Sequence, residues 1–195
     1  DWYAKVFQKG KTYRLRGEAS TMYSSASASF QHTPELMHMH IPDLKLVYIV
    51  RHPLDRLVSQ WRHYKGRHPE AKEFADILKS RHISGLLIGC SAYFERVSAY
   101  RKFFPDSQIH CLIFEDLLAN PSMVMEGLLR FLGADPDPLP LLDDGLLPRV
   151  NEAGDKGRAM VDKPVWPEEL RAELTRQLKP DADQFWESVG KPLDY

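Results

Sequence analysis

The stretch Leu46-Val47-Tyr48-Ile49-Val50-Arg51-His52-Pro53 constrains this chain more than any other. It begins as an unbroken apolar run rich in β-branched residues, the pattern of a strand buried on both faces. The run stops at Arg51. Pro53 follows, and proline suits the first turn of a helix, where its missing N–H is not needed. Leu54, Leu57, Val58, Trp61 and Tyr64 then recur at helical spacing. The pattern predicts a buried strand whose carboxyl end delivers Arg51 to the opening of a helix.

That placement has chemical content. In open α/β sheets, ligands bind outside the carboxyl ends of the strands. A helix N-terminus offers unpaired N–H groups and a partial positive charge to an anion. Arg51 adds a bidentate cation, and Ser59 adds a hydroxyl two turns into the helix. An arginine after a strand also serves in ordinary surface ion pairs, so the surrounding string decides the matter. Arg51-x-Pro53-x-x-Arg56-x-x-Ser59-x-Trp61-x-His63 resembles the 3′-phosphate-binding motif of sulfotransferases that use PAPS, 3′-phosphoadenosine-5′-phosphosulfate. Trp61 stands where the family usually has tyrosine. The resemblance implies that Arg51 and Ser59 hold the 3′-phosphate.

Composition leaves room for such an enzyme and excludes other classes. The chain has 195 residues, 43% of them hydrophobic, and a formal net charge of −1. That suits a single globular domain with a sizeable core. It carries neither the basic excess of a nucleic-acid binder nor an acidic tail. No apolar run reaches the ~20 residues needed to cross a bilayer. Cys90 and Cys111 lie in apolar surroundings and read as free thiols of a reducing compartment.

Along the chain, residues 1–17 join a short aromatic helix face, Trp2, Tyr3 and Phe7, to a basic loop, Lys9 to Arg16. Gly17-Glu18-Ala19-Ser20-Thr21-Met22-Tyr23 is a polar turn with one acid. It is similar to the Gly-Glu-Lys-(Ser/Thr)-x-x-Tyr segment of heparan-type sulfotransferases, with Ala19 in place of lysine. The resemblance assigns Glu18 the role of general base; by itself the turn reads as a solvated carboxylate. Thr33-Pro34 opens a short helix with Thr33 as its cap. His38 and His40 do not share a helix face, and no metal site is expected. Helices are predicted over 69–80 and 84–104, a second buried strand over 108–114, and a helix over 122–132 closed by Gly133. The string FEDLLANPSMVMEGLLRFLG resembles the sulfotransferase segment after the same strand, and the resemblance implies that Glu115-Asp116 is a structural acid pair. Pro167 and Pro180 are each expected to open a C-terminal helix.

The long Pro/Asp/Gly-rich loop 134–164 carries Lys156-Gly157-Arg158, two cations around a residue that lets backbone approach an anion. An isolated string of this kind is an ordinary solvated turn. Heparan-type sulfotransferases have a Lys-Gly-Arg loop here that closes over the donor's phosphates. Theirs is braced by a disulfide; no cysteine follows Cys111 here, which points to a looser loop and a cytoplasmic rather than Golgi setting.

Taken together, the resemblance implies a P-loop NTPase-like α/β three-layer sandwich with a mostly parallel sheet, one domain over 1–195. No string matches the family's 5′-phosphosulfate loop, so the first βα unit is expected to be missing. The implied reaction moves a sulfuryl group from PAPS to a hydroxyl or amine of a small-molecule or carbohydrate acceptor, leaving adenosine 3′,5′-bisphosphate, with no metal and no nucleic-acid partner. A catalytically degenerate nucleotide-binding module and a phosphoryl transferase on the same fold are the alternatives.

Overall fold

The computed structural model describes residues 5–79, 81–136 and 159–191, with the backbone alone for 81–84. Its elements run α1 (Thr33–His40), β1 (Leu46–Val50), α2 (Pro53–Lys65), α3 (Phe74–Lys79), α4 (Arg81–Gly89), α5 (Tyr93–Arg101), β2 (Ile109–Ile113), α6 (Phe114–Ala119), α7 (Pro121–Leu132) and α8 (Glu168–Ser188). Short 3-10 turns lie at Gln8–Gly10, Thr21–Ser24, Ala28–Phe30 and Asp106–Gln108.

β1 and β2 pair in parallel, Leu46 opposite Ile109 and Val50 opposite Ile113. The helices between them make a crossover, which parallel pairing requires. Alternation puts Tyr48 and Val50 on the face that meets α5 and α8, where Tyr48 lies edge-on to Tyr93 and Phe185. On the other face α7 reaches β2, with Phe131 stacked on His110 at 4.9 Å. Beside it Val47 and Ile49 stay 40% and 55% exposed. β1 is therefore buried on one face, not two: no described element covers these side chains, and an apolar run cannot say which of its faces is covered.

The core forms two clusters. Leu54, Leu57, Val58 and Trp61 of α2 pack on α3 and on Leu174 and Leu178 of α8. Val50, Tyr93, Val97 and Ile113 pack on Phe185 and Trp186. Tyr64, expected on the inward stripe of α2, is half exposed and lies over the His68 ring at 4.6 Å.

Several helix limits differ from the sequence expectation. Within 69–79 the helix covers only Phe74–Lys79. The helix expected over 84–104 breaks at Cys90–Ala92 into α4 and α5. There Ser91 turns fully inward, and a Cβ on Gly89 would come 2.6 Å from the Ala26 side chain. The break thus admits a crossing strand of chain. The N-cap position of α1 is His32, whose side chain makes no capping bond, rather than Thr33, a one-residue shift that leaves Pro34 in the first turn. α6 was not foreseen, because Phe114 completes the apolar run of β2. Pro180 lies inside α8 instead of opening a new helix; its missing N–H forgoes one internal bond, and buried neighbours on both sides carry the helix through. Gly133 closes α7 with φ +76°. Its N–H donates to Arg130 O and that of Ala134 to Leu129 O, the arrangement glycine permits in the left-handed region.

Candidate anion site at the carboxyl end of the sheet

Both strands end on one rim, and the next residues meet there. The Arg51 guanidinium lies over the Phe114 ring at 5.3 Å. Its Nη2 stands 3.7 Å from Asp55 Oδ2, one turn into α2, with the arginine side chain 30% exposed. Its Nε is buried and has no hydrogen-bond partner. Arg51 is thus partly desolvated, loosely paired and still has donor capacity, which a planar oxyanion could take up.

The backbone beside it is already tied. The His52 N–H donates to Glu115 Oε1 at 3.0 Å, joining the end of β1 to the end of β2. Asp116 pairs with Lys191, just past α8. Both acids thus act as ties between elements. Burial pushes the His52 imidazole below its ordinary pKa; Arg171 and Arg51 add to this, and Asp55 and Glu115 oppose it. Ser59 is exposed one turn beyond Asp55 on the same face of α2. Arg56 turns the other way, inward to Ser91 and the Leu87 carbonyl.

Glu18 lies in the segment that leads into the 3-10 turn Thr21–Ser24. It is exposed and accepts from the Tyr23 hydroxyl at 2.5 Å. The Tyr23 carbonyl in turn accepts from the Tyr100 hydroxyl at 2.7 Å, and burial pushes the Tyr100 phenol up to about 12. α5 starts at the rim with Tyr93 and leads back to the amino end of β2. Tyr100 is therefore roughly 10 Å along the helix from Tyr93.

Lys156, Gly157 and Arg158 lie outside the described residues. The chain that follows them docks on the end of α2: the Ala159 N–H donates to Gly66 O at 2.9 Å, and Arg62 Nε donates to Val161 O at 2.7 Å. Of the basic stretch near the start, Arg14 lies close to Gly133, where a cation complements the carboxyl end of α7. Among the described residues no group of three or more His, Cys, Asp or Glu side chains could hold a metal ion. No described helix is long and apolar enough to cross a membrane.

Sequence reasoning passed over Asp55, His52 and Phe114 at this rim. Only Asp55 had a legible signal, its i,i+4 spacing from Arg51; Phe114 meets Arg51 through strand pairing, which no local pattern encodes.

Residues 16–144 match a family model described as "Sulfotransferase domain". In structure the chain is similar to a sulfotransferase from Alicyclobacillus acidocaldarius, with a TM-score of 0.76 and 22% identity, over 98% of this chain and 71% of that one. It is also similar to the sulfotransferase domain from the curacin biosynthetic pathway, with a TM-score of 0.56 and 17% identity, over 99% of this chain and 68% of that one. Likeness at these identities establishes a shared fold: P-loop-like α/β, with a parallel sheet and helices.

Proposed function

This chain belongs to the sulfotransferase domain family, and we propose that it transfers a sulfuryl group from PAPS to a hydroxyl or amine of a small-molecule or carbohydrate acceptor. Arg51 and Ser59 hold the donor's 3′-phosphate. Lys156, Gly157 and Arg158 close over its phosphates, and Glu18 takes the proton that the acceptor gives up. The observation that carries this reading is Arg51: a guanidinium with a buried, unpartnered Nε at the carboxyl end of two parallel strands, where α2 opens. A phosphate there would give that nitrogen a partner and displace or share the loose Asp55 contact. PAPS when bound supplies the sulfuryl group; the chain's part is to orient it, offset developing charge and receive the proton. Free thiols at Cys90 and Cys111 support a reducing, cytoplasmic setting.

Calorimetric titration of the full-length protein tests the donor site. Adenosine 3′,5′-bisphosphate should bind at least about tenfold more tightly than AMP, since a charge-assisted bond contributes ~1.5–3 kcal/mol. Arg51→Ala should erase the difference. Lys156→Ala with Arg158→Ala should weaken binding while shifting stability by less than about 0.5 kcal/mol. Equal affinity for the two nucleotides in the wild type would overturn the reading.

Glu18 has a second reading, favoured by the Tyr23 hydroxyl bonded to it: a brace of the turn 17–24. Glu18→Gln separates the two, because glutamine still accepts from Tyr23 but cannot take a proton. As a base, Glu18 makes this substitution cost ~10²–10⁴-fold in turnover with donor affinity kept. As a brace, it leaves turnover and melting temperature near the wild type.

A further inference from the structure

The motif's second arginine is unused by this reading, yet its Nε, Nη1 and Nη2 each have a partner. Arg56 Nε donates to Ser91 Oγ at 2.5 Å, Nη1 to Gln60 Oε1 at 2.5 Å, and Nη2 to the Leu87 carbonyl. Ser91 is fully buried and donates onward to the Pro53 carbonyl at 3.5 Å. One guanidinium therefore joins the end of α4, the α4–α5 break and, through Ser91, the first residue of α2. Pro53 lies two residues after Arg51.

Stability alone does not call for an arginine here. Burying a cation carries a desolvation cost that an apolar side chain of similar size avoids. Burial indeed lowers the Arg56 pKa, partly offset by Tyr93, Cys90 and Tyr48. What a guanidinium offers that an apolar residue cannot is a rigid fork of donors at fixed angles. The Ser91 link spends that rigidity on the turn from β1 into α2, the turn that aims Arg51.

We propose that Arg56 is a positioning residue: through Ser91 it fixes the strand-to-helix turn at Pro53, and with it the direction in which Arg51 meets the donor's 3′-phosphate. This inference rests on the donor-site reading above.

The test is the ratio of affinities for adenosine 3′,5′-bisphosphate and AMP, which isolates the 3′-phosphate, measured on the full-length protein well below its melting temperature. Ser91→Ala removes the link and keeps the cation. Arg56→Lys keeps the charge but not the fork. Arg56→Met strands the partners and risks unfolding, so the first two variants decide. One hydrogen bond is worth ~0.5–1.5 kcal/mol, so Ser91→Ala should lower the ratio by ~2–10-fold with AMP affinity unchanged, and Arg56→Lys should lower it as well. A merely structural role would lower the melting temperature and leave the ratio alone, and an unchanged ratio in both variants overturns the proposal. A wild type without preference for the bisphosphate overturns the donor-site reading and this inference with it, a failure visible before any variant is made.

Discussion

His52 shows at the scale of one side chain how the rim sets its own pH range. Its imidazole lies among Asp55, Glu115, Arg171 and Arg51, and burial outweighs the two acids, so its pKa in the folded chain is lowered. The unfolded chain then binds the proton more readily, near the ordinary value of about 6.5. A group of this kind contributes stability that is fully present above the unfolded pKa and is lost as pH falls through it toward the lower folded value. The chain should therefore have a lower urea midpoint at pH 5.5 than at pH 7.5. His110 is shifted the same way by burial, so the comparison that isolates His52 is His52→Asn, which should flatten part of the slope. An unaltered slope in that variant would mean that the His52 environment relaxes on protonation.

Among the elements, legibility followed covalent neighbourhood. β1, α2 and the Gly133 stop of α7 stand where local pattern places them, because β-branched content, Pro53 at a helix start and a left-handed glycine act within a few residues. The place of Arg51 at the end of β1, where α2 opens, was legible for the same reason. What failed depended on partners distant in sequence. The α4–α5 break exists because Ala26 passes Gly89 and Ser91 answers Arg56, neither visible in the helical periodicity of 84–104. Pro180 looked like a helix start because prolines usually are. Inside α8 it is followed by Asp181, whose carboxylate accepts from the N–H groups of Phe94 and Glu95 at 3.0 and 2.8 Å. That carboxylate caps α5 from another helix, a bond no pattern in either segment announces.

At the scale of the molecule, α8 contributes to both core clusters of the described residues. Leu174 and Leu178, before Pro180, are buried in the first cluster; Phe185 and Trp186, after it, are buried in the second. A proline inside a helix costs about 3 kcal/mol, so burial on both sides must exceed that cost for the helix to run on. Leu178→Ala should destabilise the chain by about 2–5 kcal/mol and Phe185→Ala by about 3–5 kcal/mol. If α8 couples the clusters, each loss is shared by both. Amide exchange should then show α2, in the first cluster, and α5, in the second, losing protection by the same amount in either variant. Unfolding should also remain a single transition by circular dichroism and by tryptophan fluorescence. If Phe185→Ala instead loosens α5 and leaves α2 protected, the clusters open independently. The rim that carries Arg51 would then straddle two units, since Val50 belongs to the second cluster and Leu54 to the first. The coupling would have to come from the β1–α2 turn itself.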